Sequence, residues 1–213
     1  MNKLFVFVFS FIFVTGISQT ALDIAIQDEM SLENLPSVSA VIVKNGEIVW
    51  MKSYGQSDIG NNILATPQTP YLLASVSKTF TAAAAMQCVE SGLLDLDTDI
   101  DTYLPFSIRN PNHPSTPITT RMLLTHSASI TDAAVVDNYY AYGTDPVISL
   151  SDMAQRYFST SGSDYSTANF LSGQPATVYE YSNMGNALIG YIVEAVTGTL
   201  FHEYCDAQIF DRL

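Results

Sequence analysis

Two short segments of this chain combine side chains suited to covalent catalysis, and the first is Ser75-Val76-Ser77-Lys78. It lies where a loop runs into an alanine-rich stretch of helical character. Residues three apart share one face of a helix, so the Ser75 hydroxyl and the Lys78 amine can reach each other. A serine hydroxyl needs an adjacent base, and a lysine supplies one when burial or positive potential lowers its pKa. The segment therefore predicts a serine nucleophile and its base at a helix N-terminus, whose free N–H groups can face an oxyanion.

The second segment is Tyr181-Ser182-Asn183, about a hundred residues downstream and followed by an apolar helical stretch. A phenol can relay protons, and a carboxamide can hold the carbonyl or N–H group of a substrate. A short turn can direct both side chains into one cleft. We therefore predict Tyr181 as a catalytic residue and Asn183 as a substrate-binding residue.

Together the two segments resemble the serine β-lactamase and penicillin-binding-protein-like family, in its class C-like branch. Tyr-x-Asn marks that branch, whereas class A carries Ser-Asp-Asn. The resemblance extends from about residue 22 to the last residue. Further matching stretches are residues 38–46, 94–97, 103–105, 118–126 and 209–213. The resemblance implies a β-lactamase/transpeptidase-like fold, in which an α/β layer accompanies an all-helical domain.

By the same resemblance, Ser75 attacks a carbonyl carbon and forms an acyl-enzyme. Lys78 accepts its proton or holds the Ser75–Tyr181 pair electrostatically, and Tyr181 serves the leaving group before it activates water. Which of Lys78 and Tyr181 is the general base stays open. The implied substrates are small molecules or peptides that carry an amide, lactam or ester bond, and no metal or organic cofactor is implied.

Two departures from the family pattern replace glycine. Residues 125–129 read Thr-His-Ser-Ala-Ser where the family usually has Thr-His-Thr-Ser-Gly, and residues 175–177 read Pro-Ala-Thr instead of Pro-Gly-Thr. Glycine often marks a position with positive φ. We therefore expect local strain or a shifted loop at Ser129 and Ala176.

A third family motif, Lys- or His-x-Gly on a late strand, is expected after residue 213. The chain is thus interpreted as the N-terminal part of a longer protein, with the C-terminal strands of the sheet beyond its last residue. By itself it is expected to be inactive and poorly folded. The alternative is a catalytically silent envelope-binding or interaction protein of the same fold.

The N-terminal residues and the overall charge bear on localisation. Residues 1–18 are predicted to be a signal peptide, because Lys3 precedes an apolar run that is too short to span a bilayer. The protein is therefore expected to be secreted or periplasmic, with an uncleaved anchor as the alternative. Eight basic residues against twenty-one acidic ones give a formal net charge of −13. This balance argues against nucleic-acid partners and against binding to an anionic membrane surface.

Hydrophobic periodicity divides the rest of the chain into two parts. Residues 19–60 are predicted to form an N-terminal helix and a β-hairpin of the α/β layer, with the turn at Asn45-Gly46. Residues 61–213 are predicted to form the helical domain that carries both motifs. Its expected helices span residues 75–91, 118–125, 150–158, 184–197 and 200–210.

Several other residues fit more than one interpretation. Cys88 and Cys205 are expected to be buried thiols, with a disulfide as the alternative. The alternating aspartates Asp95, Asp97, Asp99 and Asp101 favour a solvated acidic turn over a calcium loop, because the glycine and glutamate of an EF-hand are absent. A structural hydrogen-bonding role is expected for His126. Packing is favoured over a substrate cleft for the tyrosines Tyr139, Tyr140 and Tyr142.

Overall fold

The computed structural model describes residues 21–212 apart from Tyr142 and Asp145, so the predicted signal peptide lies outside the described residues. The chain divides into two compact units, with the boundary between Leu72 and Leu73. Each unit has its own set of secondary-structure elements.

The first unit contains a helix and a small antiparallel sheet. Helix α1 covers residues 21–32. Strands β1 (Ser37–Lys44), β2 (Glu47–Asp58) and β3 (Ile63–Leu64) follow, in the sheet order β1-β2-β3. Asn45 and Gly46 connect β1 to β2 with φ angles of 55° and 79°. Positive φ at both central residues is typical of a type I′ turn, so the predicted hairpin is confirmed.

The second unit is helical. Its α-helices are α2 (Lys78–Glu90), α3 (Thr120–Leu124), α4 (Leu150–Phe158), α5 (Asn183–Thr197) and α6 (Phe201–Gln208). Short 3₁₀ turns cover Ala74–Ser77, Ile100–Thr102, Ala134–Tyr139, Thr167–Asn169 and Phe210–Arg212. Helix α5 contacts α2, α3, α4 and α6. It is therefore the helix around which the second unit packs.

Helix α5 holds this position because its sequence is apolar around much of its circumference. Leu188, Ile189, Ile192 and Val193 on α5 are almost fully buried. Gly198 ends the helix in the left-handed conformation, with φ 69°, which is the usual glycine C-terminus of a helix. No single described helix is long and apolar enough to cross a bilayer; residues 183–197 and 201–212 reach that length only as a pair bent by 77°.

The structure shows the surroundings of the two cysteines and of the aspartates in residues 95–101. Cys88 and Cys205 are free and buried, as expected. Asp95 accepts the backbone N–H groups of Asp97 and Thr98. The other aspartates of the series form ion pairs with arginines: Asp97 with Arg121, and Asp99 and Asp101 with Arg109. These carboxylates therefore cap turns and pair with cations, and no group of residues suited to hold a metal ion occurs in the described part of the chain.

Candidate active site

The Ser75 hydroxyl lies between a phenol and an amine. The Tyr181 hydroxyl donates a hydrogen bond to Ser75 Oγ at 2.7 Å, and Lys78 Nζ lies 3.3 Å from the same oxygen. Lys78 Nζ also lies 4.9 Å from the centre of the Tyr181 ring. The Tyr181 hydroxyl and the Lys78 amine are thus both within reach of the Ser75 hydroxyl proton, although Tyr181 is 106 residues from Ser75 along the chain.

The backbone around Ser75 differs from the single helix predicted over residues 75–91. Ala74 has a φ of 47°, and a 3₁₀ turn over Ala74–Ser77 precedes α2. Lys78 is the first residue of α2. A left-handed alanine is strained, and such strain is frequent at functional sites. The turn leaves Ser75 exposed while Lys78 is half-buried.

Asn183 joins the same group of side chains. Its Oδ1 atom accepts a hydrogen bond from Lys78 Nζ at 2.7 Å. Asn183 is the first residue of α5, and the preceding residue, Ser182, caps that helix by accepting the Gly185 N–H at 2.9 Å. The cap fixes the position of the first helical turn, and with it the position of the Asn183 side chain. The four predicted site residues therefore form one connected cluster.

Asp132 is a member of this cluster that the sequence reasoning missed. Its Oδ2 atom accepts the backbone N–H of Asn183 at 2.9 Å and the side-chain Nδ2 of Asn183 at 2.8 Å. Its Oδ1 atom accepts the Ser182 hydroxyl at 2.8 Å and the Met184 N–H at 3.1 Å. A carboxylate at a helix N-terminus is favoured by the helix dipole. Because Asn183 Nδ2 is held by Asp132, Asn183 Oδ1 is directed at Lys78.

Asp132 is itself held in place by a buried tyrosine. The Tyr157 hydroxyl donates to Thr131 O at 2.8 Å and accepts the Ala133 N–H at 3.0 Å, so it binds the backbone on both sides of Asp132. The Tyr157 side chain is fully buried on α4. No local pattern could have revealed these contacts, because they join residues 24 to 52 positions apart. The only available signal was a carboxylate six positions after His126.

The His126 ring packs against the ring of Tyr181. Its ring centre lies 4.6 Å from that of Tyr181, and its Nδ1 atom accepts the Ser182 N–H at 3.3 Å. Burial lowers the pKa of His126, and the positive charge of Lys78 lowers it further, against the opposing effect of Asp132. A neutral ring is what the Ser182 contact requires, since a protonated Nδ1 cannot accept a hydrogen bond. The expected structural role of His126 thus has a physical basis.

The pKa of the Tyr181 phenol is shifted in the direction that favours proton transfer from Ser75. A hydrogen bond with Lys78 lowers the pKa of Tyr181, and a hydrogen bond with Ser75 lowers it further. The phenolate therefore forms at lower pH than in an ordinary tyrosine, which favours Tyr181 as an acceptor of the Ser75 proton. The arrangement can activate a serine for attack on a carbonyl group.

The two glycine replacements both lie in left-handed backbone. Ser129 has a φ of 60° and Ala176 has a φ of 70°. Ser129 is buried, and its hydroxyl donates to Gly173 O at 2.5 Å and accepts from Asn110 Nδ2 at 3.0 Å. Ala176 is exposed, and its methyl group cannot form a hydrogen bond that would offset the strain. The expected strain is present at both positions, and only Ser129 has side-chain hydrogen bonds that compensate for it.

This difference predicts opposite effects of restoring glycine. Ala176→Gly is expected to raise the free energy of unfolding by about 0.5–1 kcal/mol, because a left-handed alanine is strained. Ser129→Gly is expected to lower it by about 1 kcal/mol, since the loss of its buried hydrogen bonds outweighs the relief of strain. Urea denaturation of the complete gene product would measure both. A stabilised Ser129→Gly variant would show that the hydrogen bonds of Ser129 contribute little.

Two of the three tyrosines in the predicted cluster line a cavity next to Asn183. Tyr139 and Tyr140 contribute to its wall, and Tyr142 lies outside the described residues. The Tyr139 hydroxyl donates to Asp164, and its ring packs against that of Tyr157 with 6.4 Å between centres. Tyr139 therefore both packs in the interior and lines the cavity, whereas Tyr140 is exposed.

Comparison with known proteins places the chain in a family. A family model described as beta-lactamase matches residues 22–213. The chain belongs to the beta-lactamase family. The resemblance predicted from Ser75, Lys78, Tyr181 and Asn183 is thereby confirmed, and characterised members of this family are serine hydrolases.

Individual relatives and solved structures also resemble this chain. Protein flp of Staphylococcus aureus (strain MRSA252) is 29% identical over 192 residues, which cover 90% of this chain and 36% of that protein. An octameric penicillin-binding protein homologue from Pyrococcus abyssi has a TM-score of 0.71 at 28% identity, over 90% of this chain and 42% of the other. EstCE1, a hydrolase with promiscuous acyltransferase activity, has a TM-score of 0.67 at 21% identity, over 93% and 50% of the two chains.

These matches confirm the predicted fold class. The chain has a β-lactamase/transpeptidase-like fold, with a three-stranded sheet and a set of helices in its described residues. It spans a little over a third of the length of Protein flp. The activity of the whole protein is therefore a matter for proposal.

Proposed function

We propose that the protein is an exported serine hydrolase of the beta-lactamase family that acts by acyl transfer through Ser75 on an amide, lactam or ester. The observation that carries this proposal is the position of Ser75 Oγ between the Tyr181 hydroxyl and Lys78 Nζ. A serine hydroxyl becomes a nucleophile when a neighbouring group accepts its proton. Two such groups lie within 3.3 Å of Ser75 Oγ.

In the proposed reaction, Ser75 Oγ attacks the carbonyl carbon while its proton passes to Tyr181 or Lys78. The ammonium of Lys78 favours the phenolate of Tyr181, so we assign the acceptor role to Tyr181. Tyr181 then donates the proton to the leaving group and later takes one from the water that hydrolyses the ester of Ser75. Asn183 contacts the substrate amide or carbonyl, in an orientation maintained by Asp132.

The expected substrates are inferred from the range of substrates that the family accepts. Short acyl esters or D-amino-acid peptides are expected to be turned over faster than penicillin-type lactams. A comparison of kcat/KM for an ester, a D-alanyl dipeptide and a cephalosporin on the complete gene product tests this. Efficient hydrolysis of the cephalosporin with the other two untouched would overturn the ranking.

The test of the nucleophile is covalent labelling. The complete gene product is treated with a serine-reactive fluorophosphonate, digested and analysed by mass spectrometry. We expect label on Ser75 alone, and none in Ser75→Ala. The matched control is Ser77→Ala, which removes another exposed hydroxyl from the same turn and should label normally.

Two other results would count against the proposal. Label on a different serine that persists in Ser75→Ala would remove Ser75 from the chemistry. A folded protein that takes up no label and hydrolyses no ester, lactam or D-peptide would favour the alternative, a catalytically silent envelope-binding or interaction protein.

A further inference from the structure

We propose that the cavity beside Asn183 binds an uncharged, apolar acyl group of the substrate, and we call this cavity the acyl pocket. The inference rests on the proposed function and adds the substrate class to it. The acyl pocket has a volume of about 710 Å³ and lies against α4, α5 and the start of α6. This volume is within the range of small-molecule sites, about 300–1,000 Å³.

The wall of the acyl pocket is mostly apolar. Its apolar side chains come from the 3₁₀ turn Ala134–Tyr139, from α4 and α5, and from the segments that flank these helices. They include Val136, Ile148, Met153, Met184, Ala187 and Leu200. Met153 and Met184 are buried and form the inner wall of the pocket, whereas Leu200 is exposed. Methionine side chains adapt to irregular apolar ligands. Such a wall favours a hydrocarbon or aromatic group over a polar one.

The polar groups of the wall are largely engaged within the protein. Ser149 Oγ accepts the Asp152 N–H at 3.0 Å, and Glu194 Oε1 accepts the Phe201 N–H at 2.9 Å. Asn183 is held by Asp132 and Lys78. No lysine or arginine lines the described wall, whose one basic side chain, His202, is exposed, while Glu194 contributes a carboxylate. A negatively charged acyl group would therefore find no lysine or arginine partner in the wall and would face repulsion from Glu194.

The position of Asn183 indicates which part of the substrate enters the pocket. Asn183 lines the acyl pocket, and its Oδ1 atom is bonded to Lys78, which in turn contacts Ser75 Oγ. Tyr181, to which we assign proton transfer to the leaving group, is absent from the described wall. Asn183 is therefore shared by the pocket and by the cluster around Ser75, so a substrate whose carbonyl meets Ser75 Oγ can extend its acyl portion past Asn183 into the pocket.

The first experiment varies the acyl chain at constant leaving group. The complete gene product is assayed with 4-nitrophenyl acetate, butyrate, hexanoate and octanoate. We expect kcat/KM to rise by about fourfold for each methylene group that enters the pocket. The 4-nitrophenyl half-ester of succinate, which carries a terminal carboxylate, should be at least tenfold poorer than the butyrate.

The second experiment narrows the pocket. Ala187 is a half-buried wall residue on α5, so Ala187→Leu should reduce kcat/KM for the octanoate by roughly tenfold or more while that for the acetate stays within twofold. Ala195→Leu is the matched control, because Ala195 is exposed on the same helix and does not line the pocket. Ala195→Leu should leave kcat/KM unchanged for both the octanoate and the acetate.

The outcomes separate this inference from the proposed function. If the acetate is hydrolysed through Ser75 but the series is flat, or Ala187→Leu affects all esters equally, the acyl pocket is wrong and the hydrolase proposal stands. A dependence on the chain length of the leaving alcohol instead of the acyl group would also overturn it. If Ser75 is neither labelled nor acylated by any ester, both proposals fail.

Discussion

Tyr181→Phe and Lys78→Met are each expected to lower the kcat of the complete gene product by roughly 10²–10⁴-fold, the usual contribution of general acid–base catalysis. The double variant should lose little more than the worse of the two. Both side chains contact Ser75 Oγ, and Lys78 lowers the pKa of the Tyr181 phenol. The two residues therefore act on the same proton. Residues that act as a unit show strongly non-additive losses.

The pH dependence of the rate gives a second measurement of the same coupling. The contacts with Lys78 and Ser75 lower the pKa of Tyr181, so the phenolate accumulates, and the rate should rise, at a lower pH than an ordinary tyrosine would give. In Lys78→Met the charge is removed, so the remaining activity should rise only at higher pH. The rate should fall as the pH drops and the phenol is protonated.

The matched control for this set is Tyr179→Phe. Tyr179 is 71% exposed and lies two positions before Tyr181, so loss of its hydroxyl should leave kcat within about twofold. Unchanged turnover in Tyr181→Phe would remove Tyr181 from the chemistry. Additive losses in the double variant would show that Lys78 and Tyr181 act on separate steps.

Asp132→Asn is expected to have the next largest effect, with kcat lowered by about 10²–10³-fold, which is the size of the loss when one oriented catalytic dipole is removed. The carboxylate accepts four hydrogen bonds from the first turn of α5 and its cap. An amide turns one of its two oxygens into a donor, so some of these N–H or O–H groups lose their acceptor. Asn183 is then free to rotate its amide away from Lys78.

Asp132→Asn should also lower the free energy of unfolding by about 2–4 kcal/mol, because partly buried donors are left unpaired. Asp137→Asn provides the matched control, since Asp137 is exposed in the next turn of the same segment and should change neither quantity. Wild-type turnover in a folded Asp132→Asn variant would show that Asn183 is oriented without Asp132.

Tyr157→Phe separates positioning from simple destabilisation. It removes the hydroxyl that binds the backbone on both sides of Asp132 but keeps the buried ring. If Asp132 acts by position, kcat should fall while the pH at which the rate rises stays the same, because the contacts of Tyr181 with Ser75 and Lys78 are untouched. If that pH shifts as well, Asp132 acts on the phenol through its charge.

The amino-acid sequence by itself determined the features that depend on local spacing. Ser75 and Lys78 meet because they are three residues apart across the start of a helix, and Asn45-Gly46 forms its turn because both residues tolerate positive φ. Ser149 and Ser182 cap α4 and α5 through the N–H group three residues ahead. Such features need only short-range geometry, so they can be predicted from residue types.

Only the tertiary structure shows how the distant groups of the site meet, and it adds Asp132 to them. The packing of α5 against α2 brings Tyr181 and Asn183 to Ser75 and Lys78 across more than a hundred residues. Asp132 joins them because Tyr157, buried on α4, holds the backbone on both sides of it. A carboxylate has the same appearance in a sequence whether it faces water or the first turn of a helix. Its role is set by which N–H groups the fold leaves in front of it, and no local spacing records that arrangement.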